Sequence, residues 1–434
     1  MKKIFNIQNT LFVAFMLLFT ACKKDYGNLN GSTVEVYKNN ATAAELNNLV
    51  SGTESGMRNS IAFYLDDVGT IGREIFHFSN SEPRYVTDLL GTNNSTLSGS
   101  NFYITTPWAS RYRVVKNCNL LIDAATKSNL ITGPQRKAYT GFAKTIKAYQ
   151  LLLNLNLTDS NGIRLDVENP DNLGPIIDYN TALSAISSLL DEGANDLAGA
   201  QVPFQLAGFG NFSDAAGLVK FNRSLAARVA VYGKKWSEAL TALNASFMDL
   251  NGDFNTGVYN VFGTGSGDQL NPAFIPQNQT GEVRVAHPSF GADILPNDDR
   301  ISKATLRNST ASISGGLSSD RDVWVYTSST APIPIIRNEE LILIYAEANI
   351  QLNNFSDAIK ALNIIREKHG LADYSGAQTQ NALIDEMLYE RRYSLFFEGH
   401  RWIDLRRYNR LNELPLDRPD DNIWSEFPLP VTEQ

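Results

Sequence analysis

The chain has 434 residues, with 38 Lys and Arg against 46 Asp and Glu and a formal net charge of −8. That balance argues against a nucleic-acid partner, because phosphate binding needs concentrated basic residues. Cys22 and Cys118 are its two cysteines, too few for a disulfide framework, so a chain of this length must be held by its own core.

Met1-Lys2-Lys3 gives a positive start, and Leu11 to Phe19 is an unbroken apolar run. The run is too short to span a bilayer, which takes about 20 apolar residues. Thr20, Ala21 and Cys22 follow. This is the layout of a secretory signal peptide over residues 1–21. A Cys directly after small residues resembles a bacterial lipobox, although Phe19 stands where that pattern usually has Leu. The resemblance implies cleavage before Cys22 and acylation of its thiol. Each buried CH₂ of an acyl chain contributes about 0.8 kcal/mol of membrane affinity. Residues 22–42 read as a lipidated polar tether. Cys22-Lys23-Lys24-Asp25 carries one early acid, a weak form of an acidic export signal. No second apolar run reaches membrane length.

Ala43, Leu46, Leu49 and Val50 recur at helical spacing and predict a helix over residues 43–64. Residues 66–106, rich in Gly, Ser, Asn and aromatics, read as loops and short strands. Helical periodicity returns at Trp108 and runs through Tyr112, Val115 and Leu121. Cys118 lies within it, as a small buried apolar residue rather than a nucleophile. Thr132-Gly133-Pro134 punctuates the pattern, and a second helix runs from Arg136 to Leu157. Residues 180–198 predict a third helix and 213–250 a helical pair. Residues 251–331 are irregular. From Arg337 the chain reads as helical almost to Arg410, with His369-Gly370 as a helix stop. The proline-bearing tail, 411–434, reads as extended over the surface.

One internal repeat is visible. Trp236-Ser237-Glu238-Ala239-Leu240-Thr241-Ala242-Leu243-Asn244 parallels Phe355-Ser356-Asp357-Ala358-Ile359-Lys360-Ala361-Leu362-Asn363, with Ala227 and Ala346 at matching places upstream. Small residues that let two helices approach, with an aromatic plug at their crossing, are the logic of a tetratricopeptide hairpin. Such hairpins must stack on others or on a domain.

The C-terminal third carries a more specific pattern. Arg337-Asn338-Glu339-Glu340, Tyr345-Ala346-Glu347-Ala348 and Gly370-Leu371 lead to Glu390-Arg391-Arg392-Tyr393-Ser394-Leu395-Phe396-Phe397-Glu398-Gly399-His400-Arg401-Trp402-Ile403-Asp404-Leu405-Arg406-Arg407. With Trp108, Tyr112 and Asn119, the Asp299-Arg300 turn and the terminal Leu429-Pro430-Val431-Thr432-Glu433, this resembles the SusD/RagB family of Bacteroidetes nutrient-binding lipoproteins. The resemblance implies a mostly α SusD-like fold, a single domain over residues 43–434. Four tetratricopeptide-like hairpins, about 108–157, 180–250, 337–369 and 378–410, would pack against a loop-rich ligand face with short strands, about 66–106 and 251–331. It further implies a lipid-anchored outer-membrane location, facing the exterior, and a SusC-like TonB-dependent transporter as partner. The ligand would be a glycan in most relatives, and a peptide or other nutrient in some.

The charged residues of the C-terminal block suggest paired carboxylates, but the bland reading is favoured. Glu398–Arg401 and Arg401–Asp404, each at i,i+3, can pair on a helix, and Phe396, Phe397, Trp402 and Leu405 supply a core stripe beside them. His77, His287, His369 and His400 show no metal-ligand spacing. No Gly-x-Ser-x-Gly elbow, Walker A loop or dinucleotide fingerprint is present. The expectation is therefore no catalytic residue, no metal and no cofactor. For binding, the candidates are loop aromatics, which can stack on the C–H face of a sugar, together with polar side chains for its hydroxyls. Phe76, Phe78, Tyr85, Phe262, Phe290, Trp324 and Tyr326 are the ring candidates, with Phe254, Tyr259 and Phe274 in the same segments. Arg73, Arg84 and Asn101 are the polar ones. Trp324 and Tyr326 alternate across Val325, so a strand would turn both to one side. Two other classes stay open: a protein-interaction scaffold of tetratricopeptide type, and a surface glycan hydrolase, since two distant carboxylates can hydrolyse a glycoside without a local motif.

Overall fold

A computed structural model describes residues 40–169, 171–313 and 315–433. The signal segment, Cys22 and the tether up to residue 39 lie outside the described residues. Eleven helices of at least two turns are labelled here: α1 Ala43–Met57, α2 Ile61–Ile71, α3 Phe102–Lys127, α4 Gly133–Thr158, α5 Tyr179–Leu197, α6 Ala215–Tyr232, α7 Trp236–Asn244, α8 Asn338–Gln351, α9 Phe355–Lys368, α10 Gln380–Ser394 and α11 Arg401–Arg407. The strands are β1 Ile75–Phe78, β2 Ile163–Arg164, β3 Ile176–Ile177, β4 Gly257–Asn260, β5 Val283–Ala286, β6 Ala304–Ser312, β7 Ser318–Val323 and β8 Ile333–Arg337. The chain is thus mostly α, as its periodicity and its family resemblance imply.

Local chemistry explains the helix boundaries. Thr42 and Glu45 form a reciprocal capping box on α1, and Thr132 and Gln135 form another on α4 with Pro134 in its first turn. The Thr-Gly-Pro punctuation in the sequence is therefore a helix start. Asp178 and Asp214 cap α5 and α6 more simply, each accepting one backbone N–H of the first turn. Neighbouring helices from α3 to α10 pack in a row, and α1 lies against α3. Ala227, Ala346, Ala358 and Ala361 are fully buried where the repeat expects close helix approach. One core cluster runs through most of the molecule, and a second lies among α8, α9 and α10, around Leu343, Ile365 and Met387.

The loop-rich face is more ordered than its composition suggests. β1, β5, β7 and β6 form an antiparallel sheet in that order, and β4 pairs antiparallel with β8. Within 66–106, α2 and the start of α3 are helical. The 180–250 segment holds three helices, α5 to α7, as the periodicity predicts, so the hairpin assigned to it has one helix more than a pair. From Arg337 the helical stretch falls into four helices, α8 to α11, with the expected stop at His369-Gly370 and further breaks at 352–354 and 395–400. The last interruption is Leu395–His400, where Phe397 (φ 57°) and Gly399 (φ 86°) take left-handed backbone. That turn takes Glu398 off the helix that carries Arg401 and Asp404, and the charges find other partners. Glu398 pairs with Arg337 instead, Arg401 donates to the Gly72 carbonyl at 3.2 Å, and Asp404 accepts from Arg391 at 2.6 Å.

The tail is extended but partly interior. Phe427 is fully buried and meets Trp402 edge-on with ring centroids 5.9 Å apart. The Trp424 indole N–H donates to the Asp88 carbonyl at 3.1 Å. Glu433 accepts from the Trp108 indole and from Arg164, so the Pro-containing terminal motif ties down α3.

Candidate functional site

A cavity of about 950 Å³ lies where β4, β8 and the start of α8 meet the loops at 299–303 and 324–327 and the end of α9. It lies at the upper end of the usual size range for ligand pockets, about 300 to 1,000 Å³.

Its aromatic surface comes from Phe254, Tyr259, Trp324 and Tyr326. Trp324 follows directly on β7 and is partly exposed; its backbone N–H donates to the Lys303 carbonyl at 2.7 Å, and its ring centroid lies 6.1 Å from that of Phe274. Tyr326 is 4 % exposed, and its hydroxyl donates to the Phe397 carbonyl at 3.0 Å. The expected strand through Trp324 and Tyr326 ends at Val323, yet both residues still reach the cavity. Tyr259 stands at a register shift: Val258 pairs with Ile336, but Tyr259 pairs with Pro334. Such irregularities re-aim side chains beside functional sites.

Behind the rings lies a closed charge network. Arg337 donates to Glu398 at 3.1 and 2.9 Å, to the Ser394 carbonyl at 2.6 Å, and to Glu339. Burial alone would raise the Glu339 carboxyl; the adjacent Arg337 guanidinium, helped by His369, outweighs it and holds Glu339 well below the usual range. The His369 imidazole bridges Glu339 and Asp299, at 2.8 Å to each. Burial pushes the Lys303 ammonium down to about 8. Its Nζ donates to the carbonyls of Tyr393 and Ser394, at 3.0 and 2.5 Å, and so caps α10. Glu339 and Glu398 are both tied to Arg337, so the nearest carboxylate pair is engaged structurally. The rim offers Asp253, Asn255, Ser302, Thr327 and Lys368 as hydrogen-bonding groups. This arrangement suits a neutral ligand with many hydroxyls.

The sequence-derived candidates separate into three places. Trp324 and Tyr326 line the cavity. Arg84 and Asn101 meet each other at 3.1 Å, with Arg84 also gripped by Glu82 and stacked over Phe102 at 4.8 Å; neither lines the cavity. The other six are buried in the interior. Arg73 donates to the carbonyls of Ile71 and Asn422, Phe76 and Phe78 stack on each other, and Tyr85 stacks on His77 with ring centroids 3.9 Å apart. Phe290 packs on Phe396 at 4.1 Å, and Phe262 sits under the Arg58 guanidinium. Their rings close the hydrophobic interior of the sheet and its neighbours.

Sequence reasoning did not select Asp253, Asn255, Asp299, Ser302, Lys303, His369, Arg337 or Glu339 for the site. Asp299-Arg300 and Arg337-Asn338-Glu339 were visible as motifs, but which of their side chains turn to the cavity depends on the pairing of β4 with β8. Among the described residues, no group of three or more His, Cys, Asp or Glu side chains is placed to hold a metal ion. No described helix is long and apolar enough to cross a membrane.

Comparison with known proteins agrees with this architecture. The family model described as the SusD family matches residues 242–426. SusD-like protein P38 of Formosa agariphila is 36% identical over 107 residues, and the matched stretch spans 21% of this chain and 21% of that relative. Among solved structures, a SusD superfamily protein of Bacteroides vulgatus superposes with a TM-score of 0.67 at 15% identity, covering 90% of this chain and 96% of that one. Surface glycan-binding protein A of Bacteroides thetaiotaomicron, solved in complex with laminarihexaose, superposes with a TM-score of 0.70 at 13% identity, covering 91% and 97%. A SusD-like carbohydrate binding protein of B. vulgatus reaches 0.67 at 16% identity, covering 85% and 84%. The family match falls on the stretch that carries α8 to α11 and the cavity's charge network, and the SusD-like fold is shared over nearly all of the described chain: the protein is similar to the SusD/RagB family in both.

Proposed function

We propose that this protein is an outer-membrane lipoprotein, anchored through Cys22 and facing the exterior, that binds an oligo- or polysaccharide and delivers it to a SusC-like TonB-dependent transporter. The observation that carries the reading is the 950 Å³ cavity, in which Trp324 and Tyr259 are partly exposed while the charges behind them are spent on one another. Ring faces suit the C–H faces of sugars, and the hydrogen-bonding rim suits their hydroxyls. Trp324 is the proposed stacking platform, with Tyr326 fixing the loop beneath it. Arg84 and Asn101 remain a proposed polar contact outside the cavity. Arg73, Phe76, Phe78, Tyr85, Phe262 and Phe290 would act by shaping the face from within. The SusD-like carbohydrate binding protein of B. vulgatus and the glycan-binding protein solved with laminarihexaose, both similar in fold, support the ligand class. The work proposed is capture by shape and stacking, without covalent chemistry, and with a gain in avidity on repeating polymers.

Calorimetric titration of the detergent-solubilised lipoprotein with laminarihexaose, maltohexaose, xylohexaose and mannohexaose tests the ligand class. Binding of at least one, lost in Trp324→Ala, is the expected result; no binding to any of them or to their parent polymers overturns it. Mild-detergent capture from native membranes tests the partner: a large TonB-dependent barrel in near-equal amount is expected, and recovery of the lipoprotein alone refutes the delivery step.

A further inference from the structure

The geometry points to a second ligand subsite, for one sugar-sized unit of the same chain, in a smaller pocket that shares Tyr259 with the main cavity. This inference rests on the glycan-binding reading and specifies how far along a chain the protein grips. The pocket lies between α1 and the loop after β4, and encloses about 270 Å³. That is just below the usual range for ligand pockets and suits one ring, whereas the main cavity has room for several. Tyr259 lines both, so a linear ligand lying over its ring would reach from one into the other.

The smaller pocket is built. Asn260, beside Tyr259 on β4, is 3 % exposed and lines it, and its side-chain oxygen has no hydrogen-bond partner. A buried acceptor left unmet is uncommon in folded proteins and destabilising, and a ligand hydroxyl would meet it. Of the charges that line it, Arg58 and Asp268 neutralise each other, and the Glu54 carboxylate is engaged by a backbone N–H. Arg58 donates to Asp268 at 2.5 Å, to the Val261 carbonyl at 2.7 Å and to Ser55 at 3.1 Å, and Glu54 accepts the Gly208 N–H at 2.9 Å. A neutral polyhydroxyl group fits this lining better than an ion. Gly208 makes the wall possible: a Cβ there would stand 1.9 Å from the Tyr259 carbonyl oxygen, so only glycine lets this loop close on β4.

The test is chain-length dependence. The four hexasaccharides and their disaccharides are titrated into wild type, Asn260→Leu and Ser51→Phe. Ser51 is exposed on α1 at the pocket wall, so a Phe there fills the pocket from outside the core and keeps the test readable if Asn260→Leu fails to fold. Wild type should bind its preferred hexasaccharide roughly tenfold more tightly than the disaccharide. Each variant should lose most of that gain while keeping disaccharide affinity. A full chain-length gain in both variants overturns the subsite and leaves the main cavity standing. If no probe binds wild type at all, the glycan reading fails and the subsite falls with it.

Discussion

Arg337 and Glu398, 61 positions apart, form a two-point ion pair, with Nε to Oε2 at 3.1 Å and Nη2 to Oε1 at 2.9 Å. Arg337 closes β8 and Glu398 sits in the turn before α11, so this pair fixes the back wall of the cavity to the end of α10. Arg337 also holds Glu339, and Glu339 holds His369. Arg337→Met would strand two buried carboxylates, and breaking such a network typically costs about 3–5 kcal/mol. Urea unfolding should show a loss of that order. A loss under about 1 kcal/mol would mean that water reaches the pair.

Trp324 is the substitution that should separate binding from stability. It is partly exposed, and its ring touches Phe274 at one edge of the cavity. Trp324→Ala should weaken oligosaccharide binding by about 2 kcal/mol, in the range of an aromatic anchor, with a nearly unchanged unfolding midpoint. Phe76→Ala should do the reverse. That ring is 1 % exposed against Phe78 and His287, so its loss costs about 3–5 kcal/mol of stability. Calorimetric titration and unfolding of both variants give the comparison. Equal loss of binding in a still-folded Phe76→Ala would move the site to the β1 face.

The contrast between those two rings marks what was legible beforehand. The helical frame was readable because α3 to α7 carry apolar residues at helical spacing between explicit starts, such as Thr132 and Asp214. The repeat at Trp236 and Phe355 marked two hairpins, and the block from Glu390 to Arg407 carried the family resemblance. The break at Phe397 was hidden. An apolar residue in left-handed backbone looks, in sequence, like a continued core stripe. β6 was hidden for the opposite reason: its side chains are mostly exposed or intermediate, so it shows no clean apolar alternation. Composition could place aromatics in loops but could not tell a ring that closes the interior, such as Phe290, from one that faces a cavity, such as Trp324. That distinction is set by strand pairing, which joins residues far apart in the chain.

Cys118 offers a check on the packing of α3. The thiol is fully buried, and burial pushes it up to about 12. The thiolate is the reactive form, so the folded protein should resist a thiol reagent at pH 8 and react fully once denatured. With Cys22 acylated or removed, the label per chain should rise from near zero to one on unfolding. Fast labelling of the native protein would show that α3 opens locally.

Glu74 gives the fold an alkaline weakness. It is 3 % exposed; Oε1 accepts the Phe397 N–H at 3.3 Å, and Oε2 has no hydrogen-bond partner. Burial raises the carboxyl from 4.5 to about 8, and the charge of Arg401 offsets only part of that. Burial, with the neighbouring Asp66 charge, also raises Asp67 well above 3.8. Between about pH 4.5 and 8 the folded protein therefore keeps a proton at Glu74 that the unfolded chain releases. Stability from this group is fully present below the lower value and falls as pH rises towards the upper one. Glu74→Gln preserves the neutral shape and removes the titration, so its stability should vary less over that range. Wild type should lose on the order of 2 kcal/mol relative to the variant between about pH 5 and pH 8. Urea midpoints at three pH values across the window decide it. Parallel profiles for the two proteins would assign the slope to other groups, Asp67 first, and would mean that Glu74 is already ionised in the folded state.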